Sequence, residues 1–182
     1  MTRVVLTRQQ DQNRPWVQRL QDLGIPVLDM PLLTFEMLPA PAPETTCGVD
    51  WILFTSPRGV LAFVRAGLRT GGCRVGGLGH GTVGALTEHG IADDLGFAGR
   101  DGAELATHFC RRVPPPATVL LPGPAERVSA PLEILADAGF TVRPLPLYRT
   151  LPVAPATVPP DLESMLRAAG LEIPNPAPER PS

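Results

Sequence analysis

Apolar positions fall into short unbroken runs, and helix-length stretches with hydrophobics every three or four residues separate them. The strongest run is Trp51-Ile52-Leu53-Phe54, the pattern of a strand buried on both faces. It stops at Thr55-Ser56-Pro57, where a Ser56 hydroxyl caps free N–H groups and Pro57 fits a position that needs none. Val60, Leu61, Val64 and Leu68 predict the buried face of the next helix, with Thr70-Gly71-Gly72 as its stop. A buried strand feeding a capped helix leaves backbone donors at the strand's carboxyl end, where open α/β sheets bind ligands and helix dipoles favour anions.

The same alternation extends along the chain. Residues 3–7 predict a strand with Val4, Val5 and Leu6 buried, then a helix with Trp16, Val17, Leu20 and Leu23 on one face and Gly24 as its stop. Residues 25–35 are extended, and the proline-rich run from Leu38 to Glu44 is a linker or loop. After the central strand and helix come a short strand over 74–78, a break at Gly79-His80-Gly81-Thr82, and a helix bearing Val83 and Leu86. Residues 91–97 predict a weak, acidic edge strand. Asp101 and Glu104 have capping-box spacing before a helix faced by Leu105, Phe109 and Val113. A strand over 118–121 should break at Pro122-Gly123-Pro124, followed by a helix on Val128, Leu132 and Leu135 and an extended segment over 140–148. A last short helix is expected between Asp161 and Gly170, with a disordered tail from Ile173.

Single helices between strands indicate a flavodoxin-like, doubly wound parallel α/β sheet. About five strands and four helices between Asp50 and Leu147 make one complete lobe, placed at 37–147. The stretch from Asp22 to Leu32 also lines up with that from Asp137 to Leu147: a helix end, a glycine, then an extended exit with a proline before leucine. This reads either as two ordinary helix-to-strand transitions or as two lobes between which the chain crosses twice. On the second reading, residues 1–36 and 148–182 form a partial first lobe.

Composition narrows the class. In 182 residues, 43% hydrophobic and 19% charged, the net charge is −2, which gives no electrostatic reason to expect nucleic acid or a membrane surface. Three widely spaced cysteines, Cys47, Cys73 and Cys110, form no disulfide framework or zinc spacing and fit a reducing cytoplasm. Proline, at 23 residues, is about twice its usual share. His80, His89 and His108 have no ligand spacing, and Gly76-Gly77-Leu78-Gly79 is not a dinucleotide fingerprint. No nucleophile elbow or phosphate-binding Walker loop is present.

The order of several pieces resembles the uroporphyrinogen-III synthase family. They are Leu6-Thr7-Arg8, Leu23-Gly24 to Pro31-Leu32, Asp50 to Val60, Val75 to Thr82, Leu120-Leu121-Pro122-Gly123 and Leu147-Tyr148-Arg149-Thr150, and together they cover about residues 3–168. The resemblance implies two flavodoxin-like lobes joined by two crossing segments, with substrate between them. It implies a lyase, without cofactor or metal, that closes hydroxymethylbilane into uroporphyrinogen III by loss of water and inversion of the terminal pyrrole. The family is expected to be monomeric, with self-association if the first lobe is incomplete. Gly123-Pro124-Ala125 stands where the family commonly has an Arg-Gly pair, and Arg58 where a small polar residue is common. A later Phe-Thr-Ser-like segment is missing, so this chain looks like a C-terminally shortened member. The alternatives are a non-catalytic remnant or anion-binding module, and an unrelated flavodoxin-like ligand domain.

A substrate carrying acetates and propionates calls for several modest anion sites, which helix N-termini supply. The candidates are Thr55, Ser56 and Gly59, Thr82 with Gly81, and Gly123. Arg8 and Arg149, with Arg58 and Arg127 behind them, lie beyond strand ends or in crossovers where a bidentate carboxylate contact is feasible. By resemblance Tyr148, the only tyrosine, assists departure of the hydroxyl as a donor or acid; a phenol stays protonated at neutral pH. The competing readings are helix caps for Ser56 and Thr82, solvated surface arginines, and a half-buried hinge tyrosine.

Overall fold

The computed structural model describes residues 4–97, 99–126 and 129–153. In chain order these form β1 (Val4–Leu6), α1 (Gln10–Asp22), β2 (Val27–Asp29), β3 (Leu33–Met37), a 3-10 turn (Pro43–Thr46), β4 (Trp51–Phe54), α2 (Pro57–Arg65) and β5 (Arg74–Gly77). There follow α3 (Gly79–Glu88), α4 (Gly102–Arg112), β6 (Thr118–Pro124), α5 (Ala130–Asp137) and β7 (Thr141–Pro152). Arg127, Val128, the helix expected after Asp161 and the tail lie outside the described residues.

All four residues of β4 are buried, and their alternation divides the core in two. Ile52 and Phe54 join Val60, Phe63, Leu86 and Leu120 on one side of the sheet, whereas Trp51 and Leu53 join Leu105, Phe109, Leu121 and Leu135 on the other. The five-stranded sheet has the order β3-β7-β6-β4-β5. Its β4–β5, β4–β6 and β6–β7 pairs are parallel. Helices α2 and α3 pack together, as do α4 and α5, which gives the mixed α/β, mostly parallel architecture that strand–helix alternation predicts.

The fifth strand is not the one expected. Residues 91–97 form no strand; instead the Asp93 and Asp94 side chains bond the outer edge of β5. Asp94 Oδ2 accepts from Val75 N at 2.8 Å and Asp93 Oδ1 from Gly77 N at 3.0 Å, while Asp93 also accepts from Leu95 N and Gly96 N. Carboxylates thus satisfy donors that a further strand would have taken. The fifth position is filled at the opposite edge by β3. Its bonds, Leu38 N to Leu147 O and Val153 N to Leu32 O, run in opposite chain order, so β3 and β7 are antiparallel.

Strand β6 continues through Pro122-Gly123-Pro124 rather than breaking there. Its partnership with β4 ends at Leu120, so the prolines sit where only β7 is a neighbour and a missing N–H removes no β4 bond. In the same way, Pro144 and Pro146 precede the part of β7 that meets β3.

Helix α2 ends at Arg65 and is closed off by Gly67 (φ 73°), earlier than the expected stop at Gly71-Gly72. The Gly67 N–H reaches Val64 O and the Leu68 N–H reaches Phe63 O, the Schellman pattern that only a left-handed residue closes without strain. Its buried face is Gly59, Val60, Ala62 and Phe63, a rotation from the expected Val60, Leu61, Val64 and Leu68; of that set Val60 and the post-helical Leu68 are buried. At α4, Asp101 Oδ1 accepts from Glu104 N at 2.9 Å as expected, but Glu104 returns to Arg100 N and the Arg100 guanidinium rather than to Asp101. This pair holds the Glu104 carboxyl below and the Arg100 guanidinium above their ordinary pKa values.

Two compact units result, residues 35–150 and residues 1–34 with 151–182. In the second, β1 and β2 form a two-stranded parallel sheet. Val4, Val5 and Leu6 are half-buried rather than buried, and Trp16 and Leu23 are exposed at 55% and 67% against an expected core face. What organises this unit is Asn13. Its amide, 1% exposed, donates to Leu6 O, Arg8 O and Asp29 Oδ1 at 3.1, 2.7 and 2.6 Å, tying α1 to β1 and β2.

Asp93→Ala removes the acceptor of the Gly77 N–H at the β5 edge and of the Leu95 and Gly96 N–H groups in its own loop, and is expected to lower stability by about 1–3 kcal/mol in urea unfolding. An unchanged midpoint would show that water replaces the carboxylate without cost.

Candidate functional site

The chain leaves β4 through α2 toward β5 on one side and leaves the neighbouring β6 through α5 toward β7 on the other, so a crevice opens beyond the carboxyl ends of β4 and β6. Thr55, Ser56 and the start of α2 lie there. Ser56 caps α2, its Oγ accepting from Gly59 N at 3.1 Å, with Pro57 at the first helical position. The cap consumes donors: Pro57 has none, and the Val60 N–H goes to Ser56 O at 3.4 Å. Gly59 is buried with space limited by the Pro122 carbonyl, 3.3 Å from where a Cβ would stand, so this glycine lets α2 approach β6.

Neighbouring helix starts converge on the same edge. A Cβ at Gly81 would lie 3.6 Å from Pro57 Cγ, bringing the start of α3 against that of α2. One at Gly102 would lie 3.5 Å from Thr55 Cγ2, bringing α4 alongside. Helix α3 begins at Gly79 with no side-chain cap, so Thr82 is inside the first turn and does not start the helix. Thr82 is 2% exposed, with its Cγ2 against Gly77. Of these starts, α3 is the one whose amides no side chain takes up, and α4 carries the Asp101 carboxylate.

Tyr148 reaches this side of the sheet through a bulge. Gly123 pairs with Pro146 but Pro124 with Tyr148, so β7 carries one extra residue, Leu147. Strict alternation would send Leu147 and Tyr148 to opposite faces, whereas both pack in the α2-side core. Tyr148 is 5% exposed, its ring 5.8 Å from that of Phe35 at an interplanar angle of 78°. The Arg58 guanidinium carbon lies 3.2 Å over the Phe35 ring.

Thr55, Ser56, Gly59, Gly81 and Tyr148 are therefore gathered around the start of α2, with Phe35 an addition for which the sequence carries no signal. Gly123 is an interior residue of β6, well short of the next helix start at Ala130. Arg149 follows Tyr148 and lies opposite Glu36 in the β3–β7 register, with its Nε 3.5 Å from Glu36 Oε2; both are exposed. Alternation turns it away from Tyr148. Arg8 belongs to the other unit and is exposed, its carbonyl held by Asn13.

A cavity of ≈ 590 Å³ lies at the opposite end of the sheet, lined by Cys47, Asp50, Trp51, Cys73 and Arg74 among others. It is remote from the carboxyl-edge cluster, and the fold rule favours the latter for binding. Cys73 Sγ lies 3.1 Å from Val49 O, and burial raises its pKa, with the Asp50 and Cys47 charges adding to the rise. Burial raises Cys110 as well, whereas Cys47 is exposed. No group of three or more His, Cys, Asp or Glu among the described residues could hold a metal.

The family model described as uroporphyrinogen-III synthase HemD matches residues 14–173. The chain belongs to the uroporphyrinogen-III synthase family. Its function lies in tetrapyrrole biosynthesis. Comparison with curated protein sequences returns no match. Among solved structures, a mutant uroporphyrinogen III synthase from the extreme thermophile Thermus thermophilus is 24% identical, with TM-score 0.66 over 94% of this chain and 70% of that one. The wild-type Thermus protein in another crystal form is 24% identical, with TM-score 0.53 over 93% and 69%. The Helicobacter pylori enzyme is 16% identical, with TM-score 0.55 over 86% and 66%. These likenesses establish the fold that uroporphyrinogen-III synthases share. A non-catalytic remnant is not favoured. No described helix is long and apolar enough to cross a membrane.

Two measurements probe the site's local structure. Ser56→Ala is expected to cost about 0.5–2 kcal/mol of stability through the lost cap, read from denaturant midpoints. An aromatic disulfide reagent at mildly alkaline pH should modify Cys47 before Cys73 and Cys110, because a raised pKa leaves less thiolate; simultaneous labelling would contradict that order.

Proposed function

We propose that this chain is an active uroporphyrinogen-III synthase, a cytoplasmic lyase that cyclises hydroxymethylbilane with loss of water and inversion of the terminal pyrrole. Membership of the family over residues 14–173 carries this reading. The division into a complete lobe at 37–147 and a partial one from residues 1–36 and 148–182 is part of the same proposal.

The residue roles rest on the carboxyl-edge cluster. Tyr148 acts as hydrogen-bond donor or acid toward the departing hydroxyl. Its 5% exposure leaves only a small part of the residue to meet a ligand. The first-turn amides of α3 and Thr55 receive substrate carboxylates, since helix starts favour anions without a paired cation. Ser56 serves through the cap and Gly59 through the close approach it permits, rather than by direct contact. Arg8 remains a candidate carboxylate contact. Arg149 is a weaker one, because a substrate carboxylate would have to displace Glu36.

Purified protein supplied with enzymatically generated hydroxymethylbilane is expected to yield the type-III isomer. Accumulation of the spontaneous type-I isomer alone would refute the activity. Tyr148→Phe should lower kcat by about a hundredfold or more if the phenol acts as an acid. A wild-type rate would make Tyr148 a core residue only.

A further inference from the structure

The stack of Arg58, Phe35 and Tyr148 joins three elements. Arg58 is the second residue of α2, with the Ser56 cap fixing the backbone around it. Phe35 stands on β3, and Tyr148 follows the β7 bulge, diagonal to Phe35 in the antiparallel register. The guanidinium carbon lies over one partner, 3.2 Å from the Phe35 centroid, and that ring meets Tyr148 edge-to-face at 5.8 Å. A planar cation over an aromatic face restrains the ring's tilt, and an edge-to-face partner restrains the next ring in turn. Nothing in the hydrophobic pattern requires this, because Phe35 is only half-buried and Leu or Val would cover the same strand surface.

We propose that Phe35, clamped by Arg58, is a positioning residue that fixes the orientation of the Tyr148 phenol. The proposal rests on the reading of Tyr148 as the group that assists departure of the hydroxyl. A proton donor works only within hydrogen-bond reach of the leaving oxygen, and a ring free to tilt spends less time there. Phe35 acts through Tyr148 and makes no contact with the reacting atoms in this scheme. The effect should fall on kcat, with substrate binding little changed.

Tyr148 is the only tyrosine, so ring-labelled tyrosine gives one set of NMR signals from the whole protein. Arg58→Met leaves Phe35 in place and removes the cation; the Tyr148 ring signals are expected to shift or broaden although both aromatic rings remain. Phe35→Leu should lower kcat by roughly ten- to a hundredfold with KM within about twofold, and Phe35→Tyr should restore most of the loss. Tyr148 signals in Arg58→Met that coincide with wild type, or a wild-type kcat in Phe35→Leu, would overturn the proposal. Should Phe35→Leu fail to fold, the Arg58→Met spectrum decides. Tyr148→Phe, measured alongside, keeps the two readings apart: full activity there sinks the catalytic role of the phenol, whereas the Arg58→Met spectrum tests the clamp without reference to activity.

Discussion

Burial of β4 on both faces is the constraint from which the larger unit follows. Four consecutive side chains at 0–6% exposure leave no face for solvent, so each side of the sheet must carry a helical layer. Each of those side chains is worth about 1.5–3 kcal/mol of burial. Parallel neighbours on both sides then force crossover connections, and the chain supplies them as α2 toward β5 and as α5 between β6 and β7. The same arrangement makes the carboxyl end of β4 the place where connections diverge. The crevice, the capped start of α2 and the adjoining start of α3 are consequences of that one buried strand.

A single extra residue then determines which chemistry reaches the crevice. Without the bulge, with Leu147 and Tyr148 alternating regularly along β7, Tyr148 would turn to the α4–α5 side and Arg149 toward α2. With it, an aromatic acid candidate joins Arg58 and Phe35, and the arginine pairs with Glu36 at the surface. Prolines at Pro122, Pro124, Pro144 and Pro146 flank the irregularity. Each sits where one neighbouring strand has ended or not yet begun, so the segment bends without orphaning a bond to that neighbour.

Much of this is legible in the sequence because local chemistry and global fold agree. Trp51–Phe54 reads as doubly buried, Ser56 as a cap and Asp101 as a cap, and each is so. The failures have physical causes. Residues 91–97 have strand-like apolar spacing, but Asp93 and Asp94 spend their side chains on a neighbour's backbone, which no periodicity reveals. Gly123 between two prolines reads as a turn until its missing neighbour is known. The α2 face is misread from hydrophobicity because Gly59 and Ala62 are small and mark close approach rather than apolar bulk. Phe35 is invisible as a site residue, since its role depends on a register between strands more than a hundred residues apart. Asn13, a polar residue in the middle of α1, is the one overlooked signal that the sequence does carry.

The acidic pair beyond β5 has an evolutionary consequence. By occupying the last row of amides, Asp93 and Asp94 close that border of the sheet to a neighbouring molecule's strand, and so guard the lobe against linear polymerisation through it. Replacement at either position is therefore restricted for architectural reasons. Two adjacent aspartates retained there across relatives would carry the imprint of a catalytic dyad while recording only the need to end a sheet.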